Sequence, residues 1–132
     1  MTDDNQPGTI LVVDDNVDVL RLAKRFLETA GHHVVTAADG EQGLAVYREH
    51  YATIVLLLTD VAMPNVDGME LADRVHGMNS NLPVLLMSGD TRSPYRGLEC
   101  IAKPFRPSEL LEIITRMLGA NVHSAIAASA WR

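Results

Sequence analysis

The fold is decided near the middle of the chain by residues 53–59, which read TIVLLLT. Apolar side chains follow one another there without alternation, so a strand formed by these residues must be covered on both faces. That is typical of the central strand of a parallel sheet. A loop over Asp60–Gly68 comes next, and it contains Pro64.

On either side of this run, further short apolar runs alternate with segments whose apolar residues recur at helical spacing. The predicted strands are Thr9–Val13, His33–Ala37, Thr53–Thr59, Pro83–Met87 and Cys100–Ala102, and the predicted helices are Val17–Ala30, Glu41–His50, Met69–Gly77 and Pro107–Leu118. The connections are too long for hairpins but suit crossovers. We therefore predict an α/β fold, a five-stranded parallel sheet with helices on both faces.

The stretch before the fifth strand departs from this alternation. Only Thr91–Glu99 is available for a crossover helix, and Pro94 and Gly97 both oppose one. We predict a loop or a single helical turn there. The chain then divides into a polar leader (1–8), one folded domain (9–118) and a C-terminal tail (119–132), which we interpret as a frayed helical extension.

Composition excludes several classes of protein. The net charge of −6, without a local Lys/Arg cluster, argues against nucleic-acid binding. The longest apolar run, Ile54–Leu58, is too short to span a bilayer. A single cysteine, Cys100, excludes an internal disulfide and a CxxC site. Met1–Gly8 lacks the pattern of a signal peptide, so we expect a cytoplasmic protein.

Polar residues stand where the predicted strands end. Asp14 and Asp15 follow the first strand, Asp60 the third, Ser88 the fourth and Lys103 the fifth. Taken singly, each has a structural explanation: an aspartate can cap a helix, a serine can stabilise a turn, and a lysine can be a solvated surface residue. Ligands of open α/β sheets, however, bind outside the carboxyl ends of the strands. The convergence of these residues there favours a functional site.

If the first and third strands are neighbours, about 4.8 Å apart, the three carboxylates converge on one spot. They would then need a cation, because like charges would otherwise raise at least one pKa. Magnesium suits oxygen ligands, whereas zinc would require His or Cys, and neither clusters here. A carboxylate can act as a nucleophile towards a phosphoryl group, given positioning and charge stabilisation. We predict that Asp60 is this nucleophile, that Mg²⁺ bridges the acidic pair and the phosphoryl oxygens, and that Lys103 and Ser88 hold the other oxygens.

Four segments resemble, in order and position, the receiver domain of two-component response regulators: Ile10–Asn16 (ILVVDDN), Leu58–Gly68 (LTDVAMPNVDG), Met87–Gly89 (MSG) and Lys103–Phe105 (KPF). The resemblance spans about residues 9–118, nearly the whole chain. It implies a CheY-like, flavodoxin-like sheet in strand order 2-1-3-4-5.

The resemblance also implies roles for single residues. Asp60 would receive its phosphoryl group from a histidine kinase or a histidine phosphotransfer protein. Asp14 and Asp15 would bind the metal, together with the backbone carbonyl of Ala62. The family's function is a phosphorylation switch in protein–protein contacts, here with an unidentified downstream protein, and not catalysis beyond a weak autophosphatase activity.

At the other strand ends, Ser88 corresponds to the hydroxyl residue that follows the phosphoryl group, and Lys103 to the lysine that pairs with it. The Lys103–Pro104 bond is often cis in this family. One position departs from the pattern: Cys100 stands three residues before the lysine, where the family often has an aromatic switch residue. We predict that Cys100 is a buried strand residue.

Other interpretations stay open at this point. The chain can be a receiver domain excised from a hybrid histidine kinase, or an interaction domain that works without phosphorylation. A hydrolase with an aspartyl-phosphate intermediate is disfavoured, because Asn16 stands where the Asp-x-Asp motif of such enzymes would need a second carboxylate. A dinucleotide-binding domain is disfavoured as well, since no glycine-rich turn follows the first strand.

Overall fold

Five parallel strands form one sheet in the computed structural model, which describes residues 8–89 and 97–130, with side chains up to residue 119. The strands are β1 (Thr9–Val13), β2 (His33–Ala37), β3 (Ile54–Asp60), β4 (Val84–Ser88) and β5 (Glu99–Ala102). The helices are α1 (Val17–Thr29), α2 (Gly40–His50), α3 (Gly68–Met78) and α4 (Pro107–Ala130). The strand order is β2-β1-β3-β4-β5, which confirms the predicted topology.

The central strand is β3, as its unbroken apolar sequence predicts. It pairs with β1 on one side and with β4 on the other. Leu57 packs into the core cluster beneath α2 and α3, whereas Leu56 and Leu58 pack into the cluster beneath α1 and α4. All three leucines are fully buried, and each such burial contributes roughly 1.5–3 kcal/mol relative to exposure. Burial of apolar side chains on both faces of β3 therefore stabilises the packing of the helices against the sheet.

Side-chain caps fix where three of the helices begin. The Asn16 side chain accepts hydrogen bonds from the backbone N–H groups of Asp18 and Val19 at the start of α1. Asp39 and Asp67 accept in the same way at the starts of α2 and α3, over 2.8 and 2.9 Å. Each cap satisfies backbone donors that have no partner within the helix. These helix starts lie at the carboxyl edge of the sheet. The caps therefore also fix where the loops that follow β1, β2 and β3 end.

Several predicted boundaries differ from the structure by one residue, and the end of the last helix differs by more. β3 includes Asp60, because Asp60 pairs with Met87 of β4. The last helix continues past its predicted end at Leu118, through Gly119 to Ala130, in agreement with the interpretation of the tail as a helical extension. A single glycine costs only about 1 kcal/mol in a helix, and the alanines that follow it have the highest helix propensity.

The connection before β5 is only partly described. Of the loop or single turn predicted over Thr91–Glu99, residues 91–96 lie outside the described residues. Gly97 forms a turn with a φ of 78°, and Glu99 begins β5. The four helices of the described ranges are consistent with a shortened connection in place of a crossover helix. Within those ranges, no helix has both the length and the apolarity needed to cross a membrane.

Two glycines let helix starts approach the end of β3 and the loop that follows it closely. A Cβ at Gly40, the first residue of α2, would collide with the backbone oxygen and side chain of Val66. A Cβ at Gly68, the first residue of α3, would collide with the backbone oxygen of Asp60. The loop between Asp60 and Gly68 is therefore held between α2, α3 and the sheet, with no room for a side chain at either glycine.

Replacing Gly68 by alanine is expected to lower the free energy of unfolding by about 1–3 kcal/mol, because the new methyl group would push against the backbone of Asp60. Gly77→Ala is the matched control on the same helix, since a Cβ there meets nothing within 4 Å. That variant is expected to be more stable than wild type by up to about 1 kcal/mol. Urea denaturation measures both; equal stability of the two variants would contradict the close approach.

Candidate functional site

The carboxyl edge of the sheet brings the predicted site residues together. Asp14 follows β1, Asp60 ends β3, Ser88 ends β4, and Lys103 follows β5 directly. Parallel pairing of all neighbouring strands places these ends on one edge. The sequence prediction of a shared location is therefore met by the structure for these four residues and for Asp15, which is beside Asp14.

Three carboxylates converge at this edge. One oxygen each from Asp14, Asp15 and Asp60 lies within 4.8 Å of the others. Asp14 is fully buried and Asp60 is 7% exposed, whereas Asp15 is exposed to solvent. Two of the three charges thus lie out of water, where like-charge repulsion is strong.

Lys103 joins two of these carboxylates. Its Nζ lies 2.9 Å from Asp14 Oδ2 and 2.9 Å from Asp60 Oδ1. To make these contacts, the side chain reaches back from the β5 end across β4 to the ends of β3 and β1. One ammonium group therefore ties together three strand ends that are distant in sequence.

The backbone around Lys103 is fixed on both sides. Its N–H donates to the carbonyl of Ser88, over 2.9 Å. Phe105, two residues later, is buried under α1, where its ring meets Phe26 edge to face at 6.4 Å between centroids. The intervening Lys103–Pro104 bond is cis, as the family resemblance implies. Lys103 thus reaches the carboxylates from an anchored segment.

The local structure after β1 separates a capping residue from a site residue. Asn16, and not Asp14 or Asp15, provides the side-chain cap of α1. Asp14 Oδ1 instead accepts the Asn16 N–H at 2.9 Å, which turns the Asp14 side chain towards the sheet edge. Helix capping therefore does not explain the two aspartates, and both remain available to the carboxylate cluster.

The pKa shifts of Asp14 and Lys103 follow from burial and from the ion pairs that join them. Burial raises the pKa of Asp14, and the hydrogen bonds from Lys103 and Asn16 only partly offset it. Burial alone would lower the pKa of Lys103, but its hydrogen bonds and charge interactions with Asp14 and Asp60 outweigh that, so its pKa is raised. Lys103 is therefore stabilised in its charged form, whereas burial disfavours the charged form of Asp14.

The donor set fits a hard divalent cation. Its three ligand atoms are carboxylate oxygens, which magnesium and calcium prefer, and no His or Cys belongs to this cluster. Three negative charges face one ammonium group, so a divalent cation would balance the remainder. One carboxylate is solvent-exposed, which leaves the cluster open to an ion from solution. The residues present therefore fit the predicted magnesium ion better than zinc.

The other predicted residues flank the cluster. Ser88 is 8% exposed and lies beside Asp60's strand at the end of β4. Ala62 lies in the exposed loop two residues after Asp60. Cys100 lies in β5 but is only partly buried, at the margin of the core under α2 and α3. Burial raises the pKa of its thiol.

Two residues near Asp60 received no role from the sequence. Gly68 packs against the Asp60 backbone, and the Thr59 hydroxyl donates to the Asp60 carbonyl at 3.0 Å. Gly68 stands inside a recognised motif, but only the structure shows what it touches. For Thr59 the sequence offers a weak indication of a role, since it is the polar residue at the end of an apolar run.

Replacing Lys103 by methionine is expected to lower the free energy of unfolding by about 1–3 kcal/mol at neutral pH without metal, because Asp14 and Asp60 lose their cation. The raised pKa means that wild type keeps this stabilisation below the ordinary lysine value of 10.5 and loses it as pH rises through the higher folded-state pKa. The difference between the two chains should therefore shrink in strongly alkaline buffer.

The matched control for this measurement is Lys24→Met, at the one other lysine of the chain, which is exposed on α1. Urea denaturation over a series of pH values compares the three chains. A constant gap between wild type and Lys103→Met across the alkaline range would contradict the assigned ion pairs.

Comparisons with known proteins agree with this geometry. The probable transcriptional regulator ycf27 of Pyropia yezoensis is 35% identical over 114 residues, which cover 81% of this chain and 46% of that protein. The chain thus spans about half the length of this relative. The receiver domain of the hybrid histidine kinase CckA has 36% identity and a TM-score of 0.75, with 84% of this chain and 99% of that chain covered.

A further solved structure is the CheX-CheY-BeF₃-Mg²⁺ complex from Borrelia burgdorferi. It matches with a TM-score of 0.78 and 26% identity, over 86% of this chain and 90% of that chain. These similarities confirm the flavodoxin-like, CheY-like fold that the motifs imply.

The family model for the response regulator receiver domain matches residues 10–115, which contain every strand end of the site. The match begins within β1 and ends within α4, so it takes in the carboxylate cluster and Lys103 together. The chain belongs to the response regulator receiver domain family of two-component signalling.

Proposed function

We propose that Asp60 accepts a phosphoryl group from a histidine kinase or a histidine phosphotransfer protein, and that this modification switches the domain's contacts with a downstream protein. The observation that carries the proposal is the convergence of Asp14, Asp15 and Asp60 around the anchored ammonium of Lys103. Such a cluster costs stability through desolvation and repulsion. A domain that accepts a phosphoryl group needs such a cluster, because the carboxylates would bind the cation and provide the nucleophile.

Asp14, Asp15 and Asp60 would hold a magnesium ion through carboxylate oxygens, with the Ala62 carbonyl as a further ligand. When bound, magnesium supplies positive charge that offsets the charge of the phosphoryl oxygens. The similar structure from Borrelia burgdorferi is a complex that contains BeF₃ and Mg²⁺, which supports magnesium as the ion for this chain. The oxygen donors and the charge deficit of the cluster suit that ion.

In the proposed transfer, an Asp60 carboxylate oxygen bonds to phosphorus while the bond from phosphorus to the donor histidine nitrogen breaks. The electron pair of that bond stays on the nitrogen, and Asp60 becomes an aspartyl phosphate. Lys103 already lies 2.9 Å from Asp60, so its ammonium can pair with an oxygen of the incoming group. The Ser88 hydroxyl, at the neighbouring strand end, would donate a hydrogen bond to another.

The position at which the family often has an aromatic switch residue is Cys100 in this chain. Cys100 has a small side chain there, and it is partly buried beside the core under α2 and α3. An aromatic side chain at position 100 therefore cannot report phosphorylation in this chain. We infer that the altered contacts instead originate at the Ser88 strand end, beside the strand that carries Asp60.

Incubation with Mg²⁺ and a small phosphodonor is expected to add the mass of one phosphoryl group to the wild-type chain and none to Asp60→Asn. Asp18→Asn is the matched control, because Asp18 is an exposed aspartate outside the cluster. Intact-mass spectrometry measures all three. A gain that survives in Asp60→Asn would sink the assignment of Asp60, and no gain in wild type would favour an interaction domain that works without phosphorylation.

Asp15→Asn is expected to separate stability from metal binding. The change removes one of three converging charges, so without metal it should raise the free energy of unfolding by about 0.5–1 kcal/mol. It should weaken Mg²⁺ binding about tenfold or more, because a ligand charge is lost.

Isothermal titration calorimetry and urea denaturation measure the two effects, with Asp18→Asn again as the control. Unchanged Mg²⁺ affinity in Asp15→Asn would remove Asp15 from the metal site.

A further inference from the structure

The peptide group that follows Asp60 is held at both of its polar atoms. Its carbonyl, that of Asp60, accepts a hydrogen bond from Thr59 Oγ1 at 3.0 Å. Its N–H, that of Val61, donates to the Met87 carbonyl at 3.1 Å. The α-carbon of Gly68 packs against the same peptide, without room for a methyl group. This peptide determines where the Asp60 side chain leaves the strand.

The Thr59 hydroxyl lies in surroundings that otherwise suit an apolar residue. Thr59 is fully buried, and its cross-strand neighbours are Val13 on β1 and Leu86 on β4, both fully buried. Valine has nearly the same shape and would avoid the cost of burying a polar group. Packing alone therefore gives no reason for threonine here, whereas the hydrogen bond to the Asp60 carbonyl does.

We propose that Thr59 is a positioning residue for the phosphoryl transfer to Asp60. Its hydroxyl fixes the Asp60–Val61 peptide, and thereby the direction of the Asp60 carboxylate towards the metal and the phosphoryl group. The same constraint passes to the next peptide, where the Val61 carbonyl accepts the Gly68 N–H at 2.9 Å and so sets the position of Ala62. The inference rests on the proposed function of Asp60 and extends it by one residue that touches neither ion nor phosphoryl group.

Two substitutions separate the hydroxyl from the methyl group. Thr59→Val keeps the shape and removes the hydrogen bond, whereas Thr59→Ser keeps the hydroxyl and loses the methyl group. Thr53→Val is the matched control, because the Thr53 hydroxyl also donates to a backbone carbonyl, that of His50 at 3.1 Å, but at the opposite end of the β3 region. All three variants are compared with wild type in the full chain.

Thr59→Val is expected to lower the maximal rate of phosphorylation by a small phosphodonor roughly tenfold, because a misdirected carboxylate loses the orientation that the transfer needs. Thr59→Ser should keep the rate within about twofold, since its hydroxyl can make the same hydrogen bond. Thr53→Val should react like wild type. Urea denaturation should show Thr59→Val at least as stable as Thr59→Ser, so that lost structure does not account for the lost rate.

Two results would overturn the role of Thr59: a Thr59→Val chain that reacts at the wild-type rate, or a Thr59→Ser chain as slow as Thr59→Val, which would make the methyl group responsible. The proposed function fails separately, through a wild-type chain that takes up no phosphoryl group. Calorimetric Mg²⁺ titration then still tests Thr59, because affinity in Thr59→Val should fall several-fold below that of Thr53→Val, and equal affinities would refute the positioning role.

Discussion

The ion pair between Lys103 and the carboxylates of Asp14 and Asp60 is the interaction on which the rest of the site depends. It is the only compensation that the described side chains of the cluster supply for placing three aspartates at one sheet edge. One ammonium group cannot balance three carboxylates. Burial, and to a lesser extent the charge of Asp60, raises the pKa of Asp14. Under the proposed function, the uncompensated charge would attract a cation and, through it, a phosphoryl group.

Much of the site's wall is backbone. Gly40 and Gly68 let the first turns of α2 and α3 touch the loop after β3, and caps from Asp39 and Asp67 fix those turns. Backbone contacts of this kind cannot adjust through side-chain rotation. The Asp60 carboxylate is therefore set by the course of the main chain, and side chains such as Thr59 act on it by holding peptides in place.

The sequence predicted the features that depend on local pattern. The unbroken apolar run identified β3 as central, and the aspartates at strand ends identified the edge that bears the site. It could not show that Asn16 takes the capping role, because Asp14, Asp15 and Asn16 are equally suited to cap a helix by type. Nor could it show that Lys103 reaches across β4, because that contact depends on the strand order in space. The predicted end of α4 at Leu118 differs from the structure because one glycine does not end a helix that alanines continue, which agrees with the interpretation of the tail as a helical extension.

The contact between Lys103 and Asp14 joins residues 89 positions apart in the chain, one after the first strand and one after the last. A ribosome makes β1 first, so an unfinished molecule carries all three aspartates long before it carries their ammonium partner. Only when β5 has paired with β4 does the acidic edge gain its lysine. Under the proposed function, a product that ends before Lys103 would carry the acidic edge without the ammonium group that pairs with the phosphoryl oxygens.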